Sequence, residues 1–381
     1  MTAREFIIDK NDEKRLLKVL DSRADSEANR IRRYLAMPDL SRSEGSPLKE
    51  IVDRASKTKS LSGFDVITIP EIVSTRVLFD LFNMPMGHPA RSKSDTYYVD
   101  EENVLRTHDT VFWYYYLNHP EIKKRIENKE ILGAICFGKV YRKDEIDNRH
   151  MNVFHQFGGL YIAPDDKKVI KPEDLKNALS EIAKSIFGDK VEFRFYDHNF
   201  PYTDPSFEME ALINGQWIEI LGCGMARKSV LSNCGIEGYN GWAFGFGLER
   251  LAIASMSLPD IRLLWSEDDR VKKQLELGRK YEEVSKYPST YRDISFVVST
   301  SVGLNNYYEI VREYAGDLVE EVKLIDKYEN AEKFGKDMIS YTFRITYCSP
   351  LRTLTNEEVN MIQDRIRAKT ASELGASVRS K

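Results

Sequence analysis

"VFHQFGGLYI", Val153–Ile162, reads as a strand with an interruption. Apolar, basic and amide side chains lead into Gly158 and Gly159, and then the apolar run resumes. Glycines weaken a strand and leave it nothing to pack. Inside a strand pattern they mark a bulge or a place where another group approaches the backbone. The stretch therefore predicts a sheet with something pressed against it at Gly158 and Gly159. Similar β-rich runs surround it: "GFDVITIP", "SDTYYV", "ILGAICFGKVYR", "VEFRFYD", "SFEMEALI" and "QWIEILGCG". One helical run, "KPEDLKNALSEIAKSIFG", falls among them, with Pro172 near its start and Gly188 past its end, the usual helix punctuation. Strands that do not alternate regularly with helices predict an α+β domain on a largely antiparallel sheet.

Residues 1–60 are charged and helical in pattern, with Leu16, Leu17, Leu20, Ile31 and Leu35 at roughly helical spacing. The plain reading is a solvated helix on the next domain; the tilt toward Lys and Arg leaves an RNA-contacting arm open. Residues 61–270 form the strand-rich domain. Residues 271–286 read as a polar linker or helix. Residues 287–381 run strand, helix, strand, strand, helix, tail, an order that suits a small ferredoxin-like sandwich.

The chain has 381 residues, 42% hydrophobic and 30% charged, with a net charge of −4. That length suggests two or three domains. No apolar run approaches the ~18 residues of a membrane helix, so no membrane partner is expected. The net charge carries no global nucleic-acid signature, and any RNA contact must use local patches. Cys136, Cys223, Cys234 and Cys348 form no Cys-x-x-Cys pair and read as reduced, mostly buried thiols. The first residues carry no signal peptide, and Glu5, Asp9, Asp12 and Glu13 argue against an intact mitochondrial transit peptide. The expected location is cytoplasmic, or the mitochondrial matrix as a processed form.

Three stretches carry chemistry. In "GKVYRKDEIDNRH", Arg142 closes an apolar strand before a charged loop ending at His150. An arginine held on a strand suits bidentate phosphate recognition; the plain alternative is a strand end on the surface. In "WIEILGCG", Glu219 lies between Ile218 and Ile220. A carboxylate in an apolar strand is costly unless paired or bound to a cation; the plain alternative is the exposed face of an edge strand. In "GWAFGFGLERLAI", Gly-x-Gly runs straight into a helix that begins Leu-Glu-Arg, with Arg250 in its first turn. Glycines admit a ligand to the backbone and the helix start favours anions; the plain alternative is a tight strand-to-helix turn.

In this order the three stretches resemble the class II aminoacyl-tRNA synthetases, most closely the catalytic subunit of the phenylalanyl type. "HPARSKSDTYY", "LRTH", "VYRKDEIDNRHMNVFHQ", "FPYTDPSFEMEALINGQWIEILGCGM", "GWAFGFGLERLAI" and "PDIRLLWSEDDRVKKQ" follow in family order. "SKYPSTYRDISF" and "LIDKYE…YTFRITY…RTLTNEEV" resemble the ferredoxin-like anticodon-binding domain that single-chain, organellar-type members carry. The resemblance covers about residues 75–381. It implies a class II antiparallel-sheet catalytic domain plus a C-terminal ferredoxin-like α/β sandwich, the use of ATP and Mg2+, a tRNA partner of the tRNA-Phe type, an amino-acid substrate, and a monomer. By resemblance, Arg142 binds the α-phosphate and steadies the charge that develops there. Phe154 stacks on the adenine, and Arg250 covers its other face and reaches the γ-phosphate. Glu219 holds magnesium or nucleotide, and His150 lies near the phosphates. Such chemistry needs alignment and charge neutralisation rather than a protein nucleophile. Tyr291, Arg292 and Arg352 are candidate anticodon contacts, with a plain surface role as the alternative for each.

The amino-acid side departs from the family pattern. The glutamate that holds the substrate ammonium is replaced by Gly158. The glutamine five positions after His108 is Trp113, and the family's Phe-Pro-Phe is Phe200, Pro201, Tyr202. His108, the hydroxyl at Thr110, Gln156 and Ala243 at the pocket floor are retained. One reading keeps phenylalanine or a related aromatic substrate, with Trp113 making a cation–π contact to the ammonium. A second has a different or amino-modified carboxylic acid adenylated for a carrier or a biosynthetic pathway. A third is a catalytically weak paralogue or an RNA-binding module that kept the fold.

Overall fold

A computed structural model describes residues 3–9, 11–283, 287–349 and 351–379. In chain order the strands are β1 (Glu5–Ile7), β2 (Asp65–Thr68), β3 (Ile72–Ser74), β4 (Asn103–Leu105), β5 (Leu132–Tyr141), β6 (Val153–Pro164) and β7 (Phe193–His198). They continue with β8 (Thr203–Ile213), β9 (Gln216–Ala226), β10 (Tyr239–Gly247), β11 (Thr290–Ser299), β12 (Val319–Glu329), β13 (Met338–Tyr347) and β14 (Ser377–Val378). The chain forms two compact units. The first comprises residues 1–142, 153–258 and 275–280; the second comprises 143–152, 259–274 and 281–381.

The first unit is built on an eight-stranded sheet in the order β1-β2-β5-β6-β10-β9-β8-β7. The β1–β2 and β2–β5 pairs are parallel and all later neighbours antiparallel. One face is apolar. Phe157 stacks on Phe246 at 5.0 Å and on Phe137 and Phe244 at 6.0 Å. The helices Pro47–Ser56, Pro172–Phe187 and Leu248–Met256 pack on one another beside β6 and β9. Gly159 belongs to this face, where a Cβ would stand 2.6 Å from Phe244 Cζ. Close packing leaves no way to absorb that overlap without moving the ring.

Residues 1–60 contain β1 and the helices Asn11–Asp21, Ser26–Ala36 and Pro47–Ser56, with Leu16, Leu20 and Ile31 buried. The segment "SDTYYV" is not a strand: Tyr98 makes only an isolated bridge to Val104. Its backbone is turned instead by bonds from Asp95 and Thr96 N–H to the Ser92 carbonyl, each at 3.0 Å. The Gly-x-Gly stretch runs straight into a helix, as its sequence predicts. Gly245 and Gly247 end the central strand β10, and the helix Leu248–Met256 follows directly. The expected linker carries a short helix, Asp269–Lys272, and then turns, with Val271, Leu277 and Tyr281 buried. Residues 284–286 of that linker lie outside the described residues.

The second unit has a four-stranded antiparallel sheet, β12-β13-β11-β14, with helices Leu304–Ala315 and Asn356–Leu374 between its strands. Strand, helix, strand, strand, helix, strand is the ferredoxin-like order. Phe296, Tyr307, Phe343 and Ile345 centre its core. The loop 143–152 contributes Ile146 to that core, and the Ile146 carbonyl accepts from Val322 N–H at 3.0 Å. The four cysteines are free thiols, three of them buried. Among the described residues no helix is long and apolar enough to cross a membrane.

Candidate active site

The second face of the large sheet is unlike the first. Residues paired across antiparallel strands point to the same side, so the registers define rows. One row is Gly138, Gln156, Gly247. The next is Cys136, Gly158, Gly245, Gly222, Glu208. A third is Ala134, Leu160, Ala243, Gly224, Ser206. Glycines at facing positions on three adjacent strands leave a trough of bare backbone across the sheet, entered by the Asp109 carboxylate at Gly158 and by the Phe200 ring at Gly222. Expected site residues surround it.

At one end are charged groups near the surface. Arg142 follows directly on β5. Its guanidinium lies over the Phe154 ring at 5.2 Å, and its Nε donates to the Thr107 carbonyl at 2.9 Å. Arg250, in the first turn of the helix Leu248–Met256, pairs with Glu219 at 2.7 Å. A bulge explains how Glu219 reaches this face. Met209 pairs with Leu221 but Glu210 pairs with Glu219, so Ile220 is skipped. Bulges re-aim side chains in this way. Ile220 and Leu221 are both buried, whereas the Glu219 side chain is 45% exposed. Beneath, the His155 ring lies between two partners. Its Nε2 accepts from Leu40 N–H at 2.9 Å, so Nδ1 carries the proton and donates to Glu249 at 2.7 Å. Glu249 also accepts from His155 N–H, which ties the helix start to β6.

At the other end is a cluster of rings, of which Phe200 and Tyr202 are half-buried. Phe200 and Tyr202 are stacked at 5.7 Å with 7° between planes. Gly222 permits this, since a Cβ there would stand 2.7 Å from Phe200 Cζ. Tyr202 also stacks on His108 at 6.2 Å and meets the edges of Trp113 and Phe82 at 6.4 Å. Trp113 is 1% exposed and belongs to the unit's main core. Burial pushes the Tyr202 phenol up to about 12. Burial, then the Arg142 charge, pushes the His108 imidazole down to about 3, so it is neutral. The Gln156 side-chain oxygen accepts from Asp109 N–H at 2.9 Å. Thr110 is buried beside the Tyr202 hydroxyl.

Asp109 is the residue that sequence reasoning missed. It is 3% exposed, and its Oδ2 has no hydrogen-bond partner among the described residues. A Cβ on Gly158 would run into Oδ2 and stand 2.8 Å from Cγ; one on Gly245 would stand 3.4 Å from Oδ1. The approach to Gly158 that its sequence predicts is therefore made by this carboxylate. Burial pushes the Asp109 carboxyl up to about 7, against the pull of the Arg106 and Arg142 charges. Thr107 Oγ1 and both His108 ring nitrogens are likewise buried without hydrogen-bond partners. The only signal in the sequence is an acid between two expected pocket residues, in "THDT".

Two sets of expected residues stand elsewhere. His150 is in the second unit, half-exposed, with Nδ1 2.8 Å from Asp147 Oδ2. Of the candidate RNA contacts in that unit, Tyr291 is 56% exposed beneath the Arg344 guanidinium. Arg292 is held by the side-chain oxygens of Asn356 and Asn360 at 2.9 Å, and Arg352 by Glu358 at 2.7 Å.

A largely antiparallel sheet with Arg142 at the end of one strand and Arg250 at the start of the following helix, a glycine trough and a ring cluster, in a chain with a ferredoxin-like unit, defines a class II aminoacyl-tRNA synthetase. The family of class II core domains of tRNA synthetases (F) matches residues 34–275, and the ferredoxin-fold anticodon-binding domain matches residues 285–379. "Phenylalanine--tRNA ligase, chloroplastic/mitochondrial" of Arabidopsis thaliana is 41% identical over 319 residues, covering 81% of this chain and 71% of the relative. "Phenylalanine--tRNA ligase, mitochondrial" of Mus musculus is 36% identical over 361 residues, covering 85% and 77%. The "Phenylalanine--tRNA ligase alpha subunit" of Clostridium perfringens is 38% identical over 254 residues, covering 62% and 71%. The chain belongs to the phenylalanine–tRNA ligase family.

Proposed function

We propose that the protein activates phenylalanine with ATP and transfers it to a tRNA of the tRNA-Phe type. The observation that carries this reading is the single trough linking Arg142 and Phe154 at one end to the Phe200–Tyr202 stack at the other. A substrate ring in that pocket would lie with its carboxylate toward the arginines. The carboxylate attacks the α-phosphorus, pyrophosphate leaves, and the ribose hydroxyl of the tRNA later displaces AMP. Arg142 spreads the charge that builds on the α-phosphate. Phe154 offers its face to the adenine once Arg142 swings to the phosphate, and Arg250 leaves Glu219 to take the triphosphate.

Glu219 fits a magnesium ion carried in with the nucleotide, because such an ion takes only one or two protein carboxylates when phosphates supply the rest. Among the described residues no group of three or more acidic, His or Cys side chains could cage a metal by itself. When bound, the ion neutralises phosphate charge and orients the pyrophosphate for departure.

The second unit is proposed to bind the anticodon, with Tyr291 as the most accessible base-stacking surface. The chain is proposed to act as a monomer, since both family domains lie within it. An organellar matrix is the proposed location: the Arabidopsis and mouse relatives carry organellar names, and a cytoplasmic location has no support from them. The test is amino-acid-dependent ATP–pyrophosphate exchange across a panel of amino acids, followed by aminoacylation of a tRNA-Phe transcript. Exchange with phenylalanine above all others is expected. Exchange with a different acid, and none with phenylalanine, would overturn the reading.

A further inference from the structure

We propose that Asp109 supplies the carboxylate that receives the α-ammonium of the amino-acid substrate, doing from the adjoining chain segment what Gly158 cannot do from the sheet. This rests on the amino-acid-activating function proposed above.

The space above Gly158 is not empty. It holds the Asp109 carboxylate, with Gly245, the cross-strand partner of Gly158, on the other side. The two glycines form a floor for the carboxylate. The loss of a side chain at 158 and the presence of an acid at 109 are thus two halves of one exchange. Either carboxylate fills the position, and both together do not fit.

The group is also poised for a cation. Buried polar atoms in folded proteins are nearly always hydrogen-bonded, and each exception calls for an explanation. Asp109 Oδ2 is such an exception, and it lies beside the row that leads to Ala243 and the Phe200–Tyr202 stack. The Asp109 N–H is fixed by Gln156 Oε1 at 2.9 Å, so the residue is positioned rather than loose. A purely packing role would leave the open oxygen unexplained. A primary ammonium donates three hydrogen bonds and neutralises the carboxylate. The chemical class recognised is therefore a free α-amino acid, not an amino-modified one. Trp113 is then a wall of the pocket, edge-on to Tyr202, and not its charge-binding group.

The experiment separates amine recognition from general pocket integrity. Phenylalanine-dependent exchange is measured with two half-analogues as competitive inhibitors: 2-phenylethylamine, which keeps the ammonium, and 3-phenylpropanoate, which keeps the carboxylate. Asp109→Asn is expected to raise the phenylalanine KM and the 2-phenylethylamine Ki by about 10–200-fold, the loss that follows from removing a charged hydrogen bond. The 3-phenylpropanoate Ki should stay unchanged. Gly158→Glu alone should also fail, while Asp109→Thr with Gly158→Glu should regain much of the lost affinity. Equal shifts in both inhibitors, or an unchanged phenylalanine KM, would overturn the proposal. Absence of exchange with phenylalanine in the unaltered protein would instead overturn the substrate reading. The same Asp109→Asn comparison on the amino acid that does support exchange then decides the role of Asp109.

Discussion

The two ends of the trough are built on opposite principles. The charged end is a set of exposed or half-exposed groups, Arg142, Glu219 and Arg250, in contact with Phe154 and with one another. The ring end is mostly buried: Trp113, His108 and Asp109 form a packed wall with half-buried Tyr202 against it, and among the described residues the His108 ring nitrogens and Asp109 Oδ2 have no hydrogen-bond partner. Exposed ion pairs exchange partners cheaply, which suits groups that must release each other to grip a triphosphate. A buried wall is fixed before the substrate arrives, which suits discrimination. Truncations in the wall should therefore reduce stability, and truncations at the charged end should reduce rate.

The largest expected effect is at Trp113. Trp113→Ala removes a fully buried indole that meets the edges of Phe82 and Tyr202, and should cost about 3–5 kcal/mol of unfolding free energy. Urea denaturation monitored by circular dichroism checks it. A loss below ~1 kcal/mol on the scale of exposed positions would mean the ring end is not the rigid half.

Asp109 sharpens the contrast through pH. Its carboxyl lies at about 7 when folded, against an ordinary 3.8. Below pH 3.8 it is protonated in both folded and unfolded chains and contributes no difference. As pH rises, the unfolded chain ionises first, so the folded state loses stability progressively until about pH 7, by at most about 4 kcal/mol. Asp109→Asn should therefore raise the melting temperature of the ligand-free protein at pH 8 and leave it unchanged near pH 4. The same substitution weakens phenylalanine binding if the carboxylate meets the ammonium. A variant more stable yet worse at binding is what a functional buried acid produces. A melting temperature that rises equally at both pH values would break the argument.

Arg142→Ala tests the charged end. Removing one donor from a developing oxyanion typically costs about 2.7–4 kcal/mol in the transition state, or ~10²–10³ in rate. Exchange kinetics should show that loss in kcat, with thermal stability nearly unchanged because the guanidinium is exposed. A melting temperature that falls along with kcat would mean Arg142 is part of the wall after all.

What the sequence disclosed follows the same division. The places of Arg142, Phe154, Glu219 and Arg250 in the chain were legible because each lies in a short segment whose neighbours fix its element: strand end, strand, helix start. Sheet and sandwich were legible from strand runs and punctuation. The bulge at Ile220 was not, because a period-two reading has no place for a skipped residue, yet it decides which face Glu219 occupies. Asp109 was not legible either. It compensates for Gly158 through space, from a distant segment, and position-by-position comparison registers only a loss. Gly158→Glu with Trp113→Gln, which would restore the family residues at both positions, would drive a side chain into the Asp109 carboxylate and remove an indole from the core.

The smallest expected effect is at Glu219. Its side chain and that of Arg250 are nearly half exposed, so their 2.7 Å pair should add less than ~1 kcal/mol to stability. Glu219→Gln should leave the melting temperature where it is. The consequence appears only with nucleotide. In the free protein the pair holds Arg250 over β9, and the same carboxylate is the magnesium contact proposed above. Its loss frees Arg250 but removes that contact, so the two effects oppose each other in ATP binding. Their balance can be read from the magnesium dependence of the ATP KM. A KM that rises several-fold at limiting magnesium and recovers at excess means the carboxylate serves the ion. A KM that falls at every magnesium concentration means that it serves only to restrain Arg250.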